Sequence, residues 1–455
     1  MAKFSFKGLL QSDGWHENVT VTTDNEGIIT DICSAALASE CKHYALPGFQ
    51  NAHSHAFQYA MAGLAELHST DAQRNDFWSW RKSMYALALS VEPEQMEAIA
   101  AMLYQEMLRL GYTHVAEFHY VHHDKNGSHY SNKAELSERI ARAAKKVGIH
   151  LTIIPIYYEN GGFGTAAEMG QRRFLSKGVD AYLSLLDSVE QMAKQYESCS
   201  VGMGIHSMRA VGLENIIKVS SYRKNEMPFH LHIAEQRQEI EECIRFTGIR
   251  PVEWLTKNIE LNEYFHLVHA THLTEKEVTA IAKCEANVVL CPSTEGNLGD
   301  GLFPMDAFMR QGGKWSIGTD SHIGINPFEE LRILDYGQRL STHSRNTFGN
   351  SASGDNGAIA IHHALVNGRN AMGNKNQRYF SEGSYFDALV VSEDHPLIKM
   401  TGKKNLSNTI VYASDPSMNK GTIVKGAWKI IENKSSDPSI EANFIKAMGE
   451  LSNRI

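Results

Sequence analysis

Short apolar runs alternate with longer amphipathic stretches through the middle of this chain. Residues 45–53, 112–119, 151–158, 200–206, 229–234, 266–270, 287–291 and 315–318 are short apolar runs and read as eight buried strands. Helical periodicity marks 93–111, 131–147, 187–196, 238–246, 251–257 and 275–284 between them. Strands alternating with helices in this number predict a closed parallel (β/α)8, TIM-like barrel. The ends of the chain follow a different rhythm. Residues 3–10, 19–22 and 27–32, broken by Asp24-Asn25-Glu26-Gly27, read as short strands. So do 386–391, 409–411 and 422–431, with Gly426 in a turn, while 440–451 reads as a closing helix. The expected α/β architecture is a catalytic barrel over 49–375. A small β-sandwich domain is built from both chain ends, 1–48 and 376–455, with the C-terminal helix attached.

Composition narrows the class. At 455 residues the chain exceeds a typical single domain, and its 42% hydrophobic content fills a large core. A net charge of -8 argues against a dedicated nucleic-acid binder. No apolar segment reaches membrane-spanning length, and Met1-Ala-Lys-Phe-Ser-Phe-Lys7 lacks a signal-peptide apolar stretch. The cysteines (33, 41, 199, 243, 284, 291) are scattered without a Cys-x-x-Cys pair, so neither a disulfide framework nor a cysteine metal knot is indicated. The expectation is a cytoplasmic enzyme, assembled as a homodimer, acting on a small molecule without nucleic acid or membrane.

The chemistry gathers at strand ends. His53-Ser-His55 closes the first strand, and alternate side chains on a strand share a face, so the two rings can grip one ion. Alone, such a pair is weak. It is followed by His230-Leu-His232-Ile-Ala-Glu235, by His269-Ala-Thr-His272 and by Asp320-Ser-His322, each ending an apolar run. In barrels of this kind the active site lies at the C-terminal ends of the strands. On that map His206 and Arg209 follow strand four, His232 and Glu235 lie at strand five, His269 at strand six and Asp320 at strand eight.

Three imidazoles and a carboxylate (His53, His55, His232, Asp320) suit one zinc or ferrous ion with a position left for water. Such an ion lowers the pKa of bound water from about 16 to about 7. Glu235, three residues after His232, can ferry a proton without binding the ion. A two-ion hydrolase built this way commonly bridges its ions with a carbamylated lysine on strand four. Gly204-Ile-His206-Ser-Met-Arg209 offers no lysine, which favours a single ion. His230 shares the strand parity of His232 and belongs deeper in the barrel. His272, His322 and the cluster His119, His122 and His123 read as supporting or surface groups, and Cys291 as a buried thiol. Arg81, within Phe77-Trp78-Ser-Trp80-Arg81, is either a packed surface cation or a carboxylate-binding fork.

The pattern Pro-Gly-x-x-Asn-x-His-x-His, His-x-x-Glu after strand five, histidine after strand six and Thr-Asp-Ser on strand eight resembles the amidohydrolase superfamily, in its mononuclear deaminase branch. The likeness covers nearly the whole chain. Longer runs are similar to the formimidoylglutamate (N-formimino-L-glutamate) deiminases of histidine degradation. They are His53-Ser-His55-Ala-Phe57-Gln58 with Ala60 to Glu66, Phe77 to Arg81, Glu117-Phe-His-Tyr120-Val-His-His123, His232 to Gln236, Cys291-Pro-Ser-Thr-Glu295-Gly-Asn297-Leu-Gly-Asp300-Gly, and Glu329 to Arg339. The resemblance implies hydrolysis of a formimino group to a formyl group with release of ammonia. It implies one divalent ion, zinc or iron, on His53, His55, His232 and Asp320. Glu235 and His269 would be the proton-shuttling pair beside Asp320, and Gln58, Arg81, Tyr120, His206 and Arg209 would hold substrate. Forked guanidiniums independently suit a dicarboxylate.

Two rivals follow. A nucleobase or nucleoside deaminase would use the same ion chemistry without paired arginines. Such enzymes tend to carry asparagine three residues after the proline of the loop that follows strand seven, and Glu295 stands in that place after Pro292 here. A binding protein that had lost its chemistry would lack a ligand or the base, and none is missing.

Overall fold

The structure is a computed structural model describing residues 1–35, 37–63, 77–222, 226–345, 347–348, 354–435 and 437–452. Leu64 to Glu66 and the side chains of Phe77 and Trp78, which contribute to the resemblance, lie outside this description. Eight parallel strands follow one another around a barrel: Phe49–Ser54, Tyr112–His119, His150–Tyr157, Met203–Ser207, Phe229–Ile233, Phe265–His269, Asn287–Leu290 and Lys314–Ile317. A parallel bridge from Ser54 to Asp320 brings the last to the first, and the backbone N–H groups of Thr319 and Asp320 both donate to His53 O at 3.0 Å. Gly318 makes this closure possible, because a Cβ there would sit 2.7 Å from His53 Cβ. Asn51 stitches the same seam. Its Nδ2 donates to Thr319 Oγ1 at 2.7 Å and its Oδ1 accepts from Thr319 N at 3.1 Å.

Strand parity sorts the side chains. Phe229, Leu231 and Ile233 are buried against the helical layer, whereas His230 and His232 alternate with them on the opposite face. Register places His230 beside His266 and His266 beside Asn287, with His232 beside Val268 and Val268 beside Val289. The interior is thus layered, and Ala52, Val268, Val289, Cys291 and Ala371 form a small apolar cluster of their own. Cys291 is fully buried there, as expected.

Local rules explain the surrounding helices. Pro93–Leu110 starts with proline in its first turn and a capping box between Glu92 and Gln95. It ends at Gly111 in the left-handed region, and it buries Met96, Ile99, Ala100, Leu103 and Met107 along one stripe. The chain ends meet where Ala388–Val391 pairs antiparallel with Tyr44–Pro47, within one eight-stranded sheet. Three local expectations change. Residues 409–411 lie in the helix Leu406–Ala413, where burial of Leu406, Ser407, Ile410 and Val411 at helical spacing overrides the β-branched run. The run 200–206 divides at Gly202. Cys199–Val201 pairs with the third barrel strand, and Met203–Ser207 enters the barrel. Finally, Pro292–Leu298 is a helix rather than a loop, opened by proline and closed by Gly299 at φ 69°.

Candidate active site

At the C-terminal mouth of the barrel, His53, His55, His232 and Asp320 are all buried, with one ligand atom from each within 4.8 Å of the others. His55 Nδ1 donates to Phe118 O and His232 Nδ1 to His206 O, both at 2.9 Å, so each ring turns an unprotonated Nε2 inward. His53 Nε2 stands 3.1 Å from each of these and 3.3 Å from Asp320 Oδ1, itself 3.1 Å from His55 Nε2. A proton on His53 could satisfy one neighbour, not all three. Donors about 2.0–2.2 Å from a zinc-sized ion lie roughly 3–3.5 Å apart, so the residues present fit one cation. Burial and the neighbouring His55 lower the His53 pKa to about 3, and burial likewise keeps His232 neutral. For Asp320 burial acts upward, but the neighbouring His53 and His55 outweigh it and hold the carboxyl well below its usual range.

The strand ends reach this geometry at a backbone cost. Ala234, His269, Ala270, Asp320 and His322 have φ of 51°, 68°, 49°, 46° and 64°. Each such conformation costs about 1–3 kcal/mol in a side-chain-bearing residue and persists where the surroundings enforce it. A buried network below supplies that enforcement. His322 Nδ1 meets Thr319 Oγ1 at 2.9 Å, and Glu117 accepts from Ser54 Oγ at 2.7 Å, Tyr104 OH at 3.0 Å and Ala56 N at 2.6 Å. Burial lifts the Glu117 carboxyl to about 7.

Glu235 stands beside the ligand group, 3.9 Å from His269 Nε2 and 3.7 Å from Arg209 Nη2. Arg209 also lies 3.6 Å from Glu239, which accepts the N–H groups of Ala234 and Glu235 at 3.3 and 3.1 Å and so fixes the turn after strand five. Burial disfavours the Arg209 cation, yet Glu239 and Glu235 outweigh burial and raise its pKa. For His269 burial acts downward, while Glu235, Glu295 and Asp320 carry it up to about 10.

A cleft opens above these groups. Gln58, Arg81, Tyr120, His206 and Arg209 all line it together with His55, His232, Glu235, His269 and Asp320. Gln58 Nε2 donates to Tyr120 OH at 2.8 Å. His206 packs 4.7 Å from the Tyr158 ring and 4.9 Å from His232, and burial first, then Arg209, keeps it neutral. The Arg81 guanidinium lies 5.3 Å from the Tyr85 ring centre. Sequence reasoning missed Trp80, Met84, Tyr85, Tyr158, Phe174 and Leu298 as lining residues. Tyr85 and Tyr158 lie in apolar surroundings that read as core. Their hydroxyls are held by Gln171 Nε2 at 3.0 and 2.6 Å, a contact no spacing announces.

Among the remaining histidines, His119, His122 and His123 are buried rather than on the surface. His122 Nε2 donates to Ile156 O at 2.9 Å and His123 Nε2 to Leu175 O at 2.8 Å. His230 donates to Ala371 O at 2.8 Å, deeper in the barrel as its parity implied, and His272 is half-buried.

Comparison with known proteins gives this geometry a lineage. Residues 44–429 match the Amidohydrolase family. Over 455 residues the chain is 40% identical to the formimidoylglutamate deiminase of Pseudomonas aeruginosa, covering 99% of both chains. It is 26% identical to a 5-methylthioadenosine/S-adenosylhomocysteine deaminase of Haloquadratum walsbyi, over 84% of this chain and 78% of that one. Among solved structures, an amidohydrolase from Brucella melitensis superposes with a TM-score of 0.92 at 36% identity, covering 99% of this chain and 100% of the other. The chain belongs to the amidohydrolase family.

Proposed function

We propose that this protein hydrolyses N-formimino-L-glutamate to N-formyl-L-glutamate and ammonia, a step of histidine degradation, as a cytoplasmic homodimer carrying one zinc or ferrous ion per chain. The observation that carries the reading is the placement of two guanidiniums, Arg81 and Arg209, in the cleft that also holds Glu235 and the ligand group. A substrate with two carboxylates needs such forks, and a nucleobase does not. The 40% identity to the Pseudomonas aeruginosa deiminase supports the same substrate.

Hydrolysis adds water across the formimino carbon–nitrogen double bond and then breaks the bond to that nitrogen, which leaves as ammonia. His53, His55, His232 and Asp320 would hold the ion, which when bound would supply Lewis acidity and lower the pKa of a water to about 7. Glu235 takes the proton given up by the attacking water at its carboxylate and delivers it to the imino nitrogen, then passes the second proton, from the hydroxyl formed on the carbon, to the same nitrogen as it leaves as ammonia. His269, between Glu235 and Glu295, donates from Nε2 to the oxygen that gathers negative charge. Arg209 and Arg81 bind the carboxylates, with Gln58, Tyr120 and His206 orienting the rest of the substrate.

The test is ammonia release from formiminoglutamate beside adenosine, guanine, cytosine and a neutral formimino compound. A charge-assisted hydrogen bond contributes about 1.5–3 kcal/mol, so Arg209→Met should lower kcat/KM for formiminoglutamate by roughly ten- to more than a hundredfold with the ion retained. The neutral compound should be poor with wild type and nearly indifferent to the substitution. Equal losses on both would make Arg209 structural, and turnover of a purine in preference would install the nucleoside deaminase in its place.

A further inference from the structure

Glu295 is nearly buried and does not line the cleft, yet it points at a residue that does. It sits on the helix Pro292–Leu298, where its Oε1 accepts the Cys291 N–H at 2.9 Å and lies 3.3 Å from His269 Nδ1. The helix is clamped from the other side. Glu330, fully buried on the helix Pro327–Thr342, accepts from Ser293 N at 2.9 Å and Ser293 Oγ at 2.6 Å. His269 itself stands in the left-handed region and is followed by Ala270 in the same region, so its ring is presented from an unusual backbone.

We infer that Glu295 is a positioning residue for His269, taking the Nδ1–H so that Nε2 is turned toward Glu235 and the cleft. The inference rests on the hydrolytic reading above. A carboxylate on one ring N–H fixes the orientation of the ring and so aims the other N–H, the logic of an orienting carboxylate behind an active-site imidazole. Helix capping alone would account for the Cys291 contact and leave the His269 contact unexplained.

Glu295→Gln decides between these, because glutamine still accepts from Cys291 N but brings no charge to His269. In the ion-loaded enzyme the variant should keep its ion content and melting temperature and its KM within about twofold, while kcat falls about 10- to 100-fold, the range typical of orienting partners. A purely capping role predicts unchanged kcat, or a loss in melting temperature alone, and either would overturn the inference. Proton spectra give a readout that needs no substrate. Wild type should show a downfield Nδ1–H signal that disappears in His269→Ala, which assigns it, and shifts upfield or is lost in Glu295→Gln. A signal unmoved by Glu295→Gln refutes the positioning role even if formiminoglutamate is not the substrate. If Glu295→Gln fails to fold, absence of any His269-dependent downfield signal in wild type does the same.

Discussion

The two ends of the barrel both bury histidines, and they do so to opposite effect. At the mouth, the Nε2 atoms of His55 and His232 face His53 Nε2 at 3.1 Å with their own Nδ1 protons already committed to backbone carbonyls. At the floor each histidine turns one ring nitrogen to a complement, while His230 Nδ1, His266 Nε2 and Asn287 Oδ1 stay buried without one. His230 donates to Ala371 O, and Asn287 Nδ2 donates to His266 Nδ1 at 3.3 Å and to Ser316 Oγ at 2.9 Å. His230 and His232 are two residues apart on one strand and one face. What separates a ligand from a structural histidine here is therefore convergence of lone pairs without a proton to share. Ligand atoms from four residues converge at the mouth, within 4.8 Å of one another, and can share one cation; among the described residues the floor histidines belong to no such group.

The comparison breaks most visibly if the wrong histidine controls the ion. His232→Ala should reduce ion content from about one equivalent per chain to near zero. Because the ion lowers the pKa of water by about nine units, turnover should fall on the order of 10⁴-fold or more. His230→Ala should keep the ion and cost about 1–3 kcal/mol of stability by leaving Ala371 O without its donor. Elemental analysis after gel filtration, with denaturant unfolding alongside, reads both. Loss of the ion in His230→Ala, or its full retention in His232→Ala, would erase the distinction between mouth and floor.

Within the mouth, holding the ion and moving the proton should separate. Glu235→Gln should leave one equivalent in place and lower kcat by about 10²–10⁴-fold, the usual worth of general acid–base catalysis. Near-normal turnover would assign the shuttle to another group, with His269 the first to examine.

The smallest effect sharpens the floor. Burial, with His230 beside it, holds the His266 pKa well below its ordinary value of 6.5. As pH falls through 6.5 the unfolded chain takes up a proton that the folded chain refuses, so stability declines from there downward and is unaffected by this group above it. His266→Gln should flatten that acid limb, seen as a smaller drop in unfolding midpoint between pH 7 and pH 5. An equal drop in the variant would place the acid sensitivity elsewhere.

Much of this was legible before any coordinates. The alternation of apolar runs and helical stretches specified the barrel, because strands covered on both faces and helices with one apolar stripe leave separate traces in a sequence. His53, His55 and Asp320 were legible because they end such runs, and an end-of-strand position already fixes which rim of the barrel a side chain joins. The helix Pro292–Leu298 was not, although its proline and glycine signals were present, since seven residues carry too little periodicity. Residues 409–411 misled for the converse reason, a β-branched triplet whose helical burial depends on neighbours far away in the chain.

The sequence by itself therefore determined the barrel, its sheet of chain ends and the set of residues competent to bind an ion, because periodicity and residue chemistry are local properties. Only the tertiary structure decided which histidines converge, that Tyr85 and Tyr158 face the cleft, and that Glu295 reaches His269. Those facts depend on ring tautomers, left-handed strand ends and contacts between residues that no spacing along the chain relates.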